Sequence, residues 1–160
     1  MMNISIICVG KLKEKFWTDA CSEYAKRLKG FCNFSIIEVD EEKIPDTPSP
    51  AQIQNTLEKE GQRIISKIPK NAKIISMCIE GKQRTSPKFA KEIFDSALGG
   101  ESTLAFIIGG SWGLSDSVKN LSAIRLSVSE MTFPHQLARV MLCEQIYRAF
   151  QINSNGKYHK

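Results

Sequence analysis

The feature that most constrains the fold of this sequence is a series of short, β-branched apolar segments separated by helical patterns. Four such segments stand out: NISIICV from Asn3 to Val9, FSIIEV from Phe34 to Val39, KIISMCI from Lys73, and TLAFII from Thr103. The last two are nearly continuous apolar runs, the pattern of parallel strands that helices cover on both faces. Residues 124–129 alternate apolar and polar side chains, which predicts a half-exposed fifth strand. The sequence therefore predicts an α/β fold with a mostly parallel sheet flanked by helices.

The segments between these strands carry the spacing of amphipathic helices. Between the first two strands, apolar residues recur every four positions on one face: Phe16, Ala20, Tyr24 and Leu28. The second helix is predicted to expose a charged face made of Glu58, Lys59, Glu60 and Arg63. A third helix should begin near Ser86 and a short fourth one after Ser115, because serine caps helix starts. The last helix is predicted to begin at Pro134 and to run to about Phe150.

Length and composition indicate one soluble domain that spans residues 1–160. A chain of about 150 residues buries roughly 70% of its unfolded surface, which is enough for one sizeable core. No apolar run approaches the length of a membrane span, and the first strand lacks the flanks of a signal peptide. Five cysteines lack paired spacing, which argues against disulfides and zinc: Cys8, Cys21, Cys32, Cys78 and Cys143. We expect a cytoplasmic protein without a metal or a membrane anchor.

Two turns in the last third of the chain follow buried strands and could hold a ligand. The first reads IIGGSWGLSDSV and contains Gly109 and Gly110, which let a backbone approach a ligand closely. The second, VSEMTFPHQ over residues 128–136, offers free backbone groups and an apolar wall from Met131 and Phe133. Open α/β sheets bind ligands at the carboxyl ends of their strands. Both turns therefore predict a nucleotide-like site.

These signals leave alternatives open. IGGSWG is not the GxGxxG fingerprint of dinucleotide folds, and glycine pairs also end strands for purely structural reasons. His135 and Arg139 lie four residues apart on one helical face within reach of the second turn, yet spacing alone favours an ordinary helix start with His135 on the surface. The net charge of +5 suits a polyanionic partner without requiring one. The last helix is more apolar than one sheet face needs, which favours a homodimer.

Several motifs, in order, resemble the RlmH family of SPOUT RNA methyltransferases. They are FIIGGSWGLS, LSVSEMTFPHQLARVMLCEQIYRAF and the terminal YHK, and the segments VGKLKEKFW and IEGK are also similar. The resemblance covers essentially the whole chain. It implies an S-adenosylmethionine-dependent enzyme that methylates N3 of a pseudouridine in large-subunit (23S) ribosomal RNA within the ribosome. It also implies a C-terminal trefoil knot and a homodimer whose interface completes the active site.

The resemblance further implies which residues form the site. The cofactor contacts fall on Met77, Gly109, Val128, Ser129, Glu130, Met131, Thr132 and Phe133. The catalytic candidates are His135, Arg139, Tyr158 and His159. His135, His159 and Glu130 are candidate bases, and nothing in the sequence selects among them. Arg139, Arg148 and the YHK tail are expected to hold phosphates or the base, with the tail acting in the partner's site. Trp112 receives no role beyond contact with cofactor or base.

Two rival functions belong to other classes. A flavodoxin-like nucleotide- or phosphate-binding protein would bind a flavin or nicotinamide rather than S-adenosylmethionine, and would not methylate RNA. A ribosome-associated protein without activity would bind ribosomes and incorporate no methyl group. Cofactor selectivity and methyl transfer therefore separate all three readings.

Overall fold

The computed structural model describes all of residues 1–160 and contains a single sheet of five parallel strands. The strands are β1 (Asn3–Val9), β2 (Asn33–Val39), β3 (Lys73–Gln83), β4 (Thr103–Ile108) and β5 (Ile124–Ser127). Their order across the sheet is β2-β1-β4-β3-β5, and every neighbouring pair is parallel. The predicted α/β class with a parallel sheet flanked by helices is confirmed.

Four helices connect the strands and a fifth follows the last strand: α1 (Lys15–Leu28), α2 (Pro50–Ile65), α3 (Ser86–Leu98), α4 (Asp116–Leu121) and α5 (His135–Asn153). Polar side chains define where several of them begin. Ser49 and Gln52 form a reciprocal capping box at α2, and the Ser115 hydroxyl accepts the Val118 N–H at α4. The cap of α3 is Thr85 rather than the predicted Ser86. None of the five helices is long and apolar enough to cross a bilayer.

The helices cover both faces of the sheet and enclose two apolar cores. Helices α1, α3 and α5 pack on one face, over a core that includes Leu104, Phe106 and Ile108 of β4. Helices α2 and α4 pack on the other face, over Ala105 and Ile107 of the same strand. Successive residues of β4 point to opposite faces, so an apolar run is required along the whole strand. With both faces covered, the strand ends remain as the part of the sheet where a ligand can enter.

Strand β3 passes unusually close to β5 near its end. Leu126 pairs with Met77 and again with Lys82, so the intervening residues of β3 bulge around it. A Cβ atom on Gly81 would lie 2.6 Å from the carbonyl oxygen of Arg125, and only glycine tolerates that approach. The last residues of β5 therefore pack closely against the bulged part of β3 just before the turn at residues 128–133.

Two sequence-based expectations about helix faces are wrong. Phe16 does not join the buried stripe of α1; its side chain is 62% exposed and lies against Trp17. Glu60 is not on the solvated face of α2, because the loop before α2 folds over it and the Glu42 N–H donates to its carboxylate at 3.0 Å. Burial raises the pKa of the Glu60 carboxyl. In both cases tertiary contacts override the helical period.

Candidate functional site

A cleft of about 870 Å³ lies at the carboxyl ends of β3, β4 and β5. Three segments form most of its wall: residues 77–80 in the second half of β3, residues 108–114 from the end of β4 into the following turn, and a stretch within 126–138 from the end of β5 into α5. Ligand pockets commonly measure about 300–1,000 Å³, so the cleft is large enough for a nucleotide-sized molecule. The two turns that the sequence singled out are therefore walls of one site.

The glycine turn after β4 is closed by its own backbone. The Gly113 N–H donates to the Gly110 carbonyl at 3.1 Å, and Gly113 has a φ of +90° that favours glycine. A Cβ atom on Gly109 would overlap the Gly113 carbonyl group. Glycine at 109 is thus required for the turn to close, rather than only for a ligand to approach.

The second turn is held by two serines. The Ser127 hydroxyl donates to the Ser129 carbonyl at 2.9 Å, and the Ser129 hydroxyl accepts the Met131 N–H at 3.0 Å. Such local side-chain bonds fix a loop without help from secondary structure. They present Met131 to the cleft with 72% of its surface exposed.

Seven of the eight expected cofactor residues line this cleft: Met77, Gly109, Val128, Ser129, Met131, Thr132 and Phe133. Glu130 is exposed and does not line the cleft. Among the eight, Glu130 alone lies off the cleft wall.

His135 begins α5 and lines the cleft. Its Nδ1 atom is buried without a hydrogen-bond partner. Burial and, to a smaller degree, the nearby Arg139 guanidinium lower the pKa of the imidazole. Both effects favour the neutral form of His135.

Arg139, which the sequence suggested as a residue that holds phosphate or the base, does not line the cleft of its own chain. Its side chain is 2% exposed and donates to the Glu38 carboxylate at 2.8 Å and to the Gly10 carbonyl at 3.1 Å. These bonds tie α5 to the ends of β1 and β2. A buried guanidinium with these partners positions the helix that carries His135.

The C-terminal tail folds back on α5, away from the cleft of its own chain. The Tyr158 hydroxyl donates to Glu144 at 3.1 Å, and Arg148 contacts Nδ1 of His159 at 3.1 Å. The Tyr158 ring lies edge-on to Tyr147, with ring centroids 4.9 Å apart. Burial and hydrogen bonding raise the pKa of Tyr158 to about 12. Within one chain, the structure therefore does not bring Tyr158 and His159 together with His135.

The structure adds cleft residues that sequence reasoning missed. Lys119 on α4 lines the cleft and forms an ion pair with Glu80 at 2.6 Å. The hydrogen bond from Lys119 lowers the pKa of the Glu80 carboxyl. The two residues are far apart in the chain and carry no motif, so only the β3–α4 packing reveals the pair.

The family model described as "Predicted SPOUT methyltransferase" matches residues 2–159. The ribosomal RNA large subunit methyltransferase H of Latilactobacillus sakei subsp. sakei is 52% identical over 159 residues, covering 99% of this chain and 100% of the relative. The protein of that name from an Exiguobacterium species is 51% identical with the same coverage. Among solved structures, a probable methylase family protein from Haemophilus influenzae aligns with a TM-score of 0.54 at 12% identity, covering 99% of this chain and 71% of that chain. The last likeness concerns the fold alone.

Proposed function

The chain belongs to the SPOUT methyltransferase family, and we propose that it transfers a methyl group from S-adenosylmethionine to large-subunit ribosomal RNA. The observation that carries this function is identity of about one half, over the full length, to relatives named ribosomal RNA large subunit methyltransferase H. The flavodoxin-like reading has no comparable support. We further assign the acceptor as N3 of a pseudouridine, as the sequence resemblance implies.

The cleft fits S-adenosylmethionine in size and in chemistry. Apolar side chains for the adenine come from two of the three segments that form the cleft wall, represented by Met77 in the first and by Leu126 and Phe133 in the last. The two turns offer backbone groups for polar atoms, and the closed turn at Gly109 keeps its own backbone at the cleft wall. Met77, Gly109 and residues 128–133 are the proposed contacts. When bound, the cofactor supplies an electrophilic methyl group on a sulfonium.

The protein's contribution to the reaction is to position the acceptor and to remove a proton. The imide N3 must lose its proton before it can act as a nucleophile. Among the candidate bases His135, His159 and Glu130, the side chain that lines the cleft is that of His135. Its lowered pKa favours the neutral imidazole, which is the form that can accept a proton. This supports His135 as the general base.

A homodimer is proposed to complete the site. A groove of about 400 Å³ next to the cleft is lined largely by apolar residues, including Tyr24, Val140 and Met141. Since the tail residues Tyr158 and His159 lie outside their own cleft, a second chain packed on this groove would let them act in the partner's site. Mixing a variant without residues 158–160 with a cleft variant should then restore activity in heterodimers. Failure to restore it, with both variants folded and dimeric, would refute action across the interface.

The trefoil knot is likewise a proposal. It rests on the resemblance to SPOUT methyltransferases. The bulge of β3 opposite Leu126 lies where the chain leaves β5 for the second turn and α5, the segment that the knot would involve. The single domain over residues 1–160 and a cytoplasmic location complete the proposal.

The function is tested by cofactor selectivity and by methyl incorporation. Calorimetry should detect binding of S-adenosylmethionine and no binding of a flavin or nicotinamide. Purified ribosomes that lack the modification should incorporate labelled methyl groups into large-subunit RNA. Ribosome binding without incorporation would favour a non-enzymatic ribosome partner, and failure to bind S-adenosylmethionine at millimolar concentration would refute the assignment.

A further inference from the structure

Trp112 is a large aromatic side chain held at the mouth of the cleft. It is 47% exposed, although tryptophan is usually well buried. The other tryptophan, Trp17, is partly buried and lies against Phe16. This exposed indole lines the cleft but has no role in the proton removal and cofactor binding proposed above.

The backbone keeps Trp112 from folding back into the core. Ser111 and Trp112 are the two central residues of the turn that the bond from Gly113 to Gly110 closes. The next residue after the turn, Leu114, is buried, and Ser115 behind it caps α4. The turn is thus anchored at both ends, and the indole projects from its tip.

Trp112 belongs to an apolar rim. Half of the eight exposed large hydrophobic side chains of the chain line this one cleft, namely Ile79, Trp112, Val128 and Met131. A concentration of exposed apolar surface around a cleft marks a binding surface. The deeper wall, with the buried Leu126 and half-buried Met77, is the part assigned to the cofactor.

We propose that Trp112 stacks on the unpaired target base of the RNA and holds it over the cleft, with Met131 on the same rim. The inference rests on the proposed function. An enzyme that modifies the pairing edge of a base must take an unpaired or extruded nucleotide. Proteins commonly hold such bases by stacking them on aromatic rings, and an indole offers the largest face. The rim lacks a positively charged group other than Lys119, which is already paired with Glu80. Stacking rather than charge is therefore the interaction that this rim offers.

The test compares Trp112→Ala with Trp112→Phe in methyl transfer to ribosomes that lack the modification. Loss of one stacked base lowers kcat/KM by about 5- to 100-fold, so the alanine variant should fall in that range. The phenylalanine variant keeps a ring and should remain within a few-fold of the unsubstituted protein. Calorimetry should show the affinity for S-adenosylmethionine unchanged within about two-fold in both. Leu98→Ala, at an 88% exposed residue outside the cleft, is the matched control and should behave like the unsubstituted protein.

Each contrary outcome has a distinct meaning. Full activity of Trp112→Ala overturns the inference while leaving the proposed function intact. An equal loss of cofactor affinity would make Trp112 a wall of the cofactor site, and a shift to monomer in sedimentation would make it an interface residue. Either result overturns stacking on the base. If the unsubstituted protein itself methylates no ribosomal RNA, the proposed function fails instead.

Discussion

At the residue scale, a few side chains determine the shape of the cleft, and glycine 109 is the clearest case. The sequence pointed to Gly109 as a place where a ligand comes close to backbone. In the structure, the space that a side chain at this position would occupy is filled by the Gly113 carbonyl of the same turn. A substitution there consequently acts by opening the turn.

Gly109→Ala should weaken S-adenosylmethionine binding at least ten-fold, because the displaced turn carries one wall of the cleft. Calorimetric titration measures this effect. Gly30→Ala is the matched control, since a Cβ atom there meets nothing within 4 Å and lies outside the cleft. Unchanged affinity in Gly109→Ala would show that this turn does not shape the cofactor site.

Arg139 shows how burial changes the meaning of a charged residue. Its spacing from His135 suggested a surface pair, but spacing alone does not show that Glu38 and the Gly10 carbonyl converge on it. Arg139→Met keeps the apolar stem and leaves these acceptors without their donor. It should lower the free energy of unfolding by about 1–3 kcal/mol. This loss is smaller than that expected for breaking a fully buried ion pair, because Glu38 is partly exposed.

Denaturant unfolding tests this role of Arg139. Lys91→Met, which removes an exposed pair with Asp95, should cost less than about 0.5 kcal/mol. The salt dependence of ribosome binding should be the same in Arg139→Met as in the unsubstituted protein. A reduced salt slope with unchanged stability would instead place Arg139 on phosphate.

His135 predicts a pH dependence of stability. Its pKa is lowered in the folded state by burial and by Arg139, so the unfolded chain binds a proton first as the pH falls. Its contribution is then constant above the unfolded pKa of about 6.5 and becomes destabilising as the pH falls from there toward the folded pKa. His135→Gln should flatten that part of the stability profile. An NMR titration that gives a pKa of His135 above 6.5 would contradict this account.

At the element scale, the strands and helices were largely evident from the sequence, but their ends were not. The apolar runs located β1 and β4 at their observed bounds, because strands buried on both faces leave little choice of residue. β3 continues to Gln83, four residues beyond the predicted segment KIISMCI, because contact with β5 extends it through polar residues. Such pairing depends on a distant strand and leaves no local pattern.

The C-terminal tail is an element whose position only the structure reveals. Tyr158 and His159 are held on α5 by Glu144 and Arg148, so deleting them removes no cleft wall. Deletion of residues 158–160 should therefore leave S-adenosylmethionine affinity within about two-fold while reducing methyl transfer at least ten-fold. Lys160→Ala is the smaller change that separates loss of charge from loss of the tail. Unaltered turnover of the deletion variant would remove the tail from the RNA site.

At the scale of the whole molecule, the sequence located the cleft but not the path of the chain through the fold. Both turns lay at strand ends, and the parallel order of β3, β4 and β5 brought them to one edge of the sheet. Threading cannot be derived from hydrophobic periodicity, because the period reports which face of an element is buried and not which loop it passes through. The hydrophobic pattern of one chain likewise does not show which of its residues would contact a second chain.

The central proposal for this protein is that its fold places a ribosomal base beside a bound methyl donor. Its most direct test is mass mapping of large-subunit RNA after ribosomes that lack the modification are incubated with the protein and S-adenosylmethionine. We predict one added methyl group, located on N3 of a single pseudouridine, and its absence when Gly109→Ala replaces the unsubstituted protein. Unmethylated RNA, or a methyl group on another kind of nucleotide, would contradict the account.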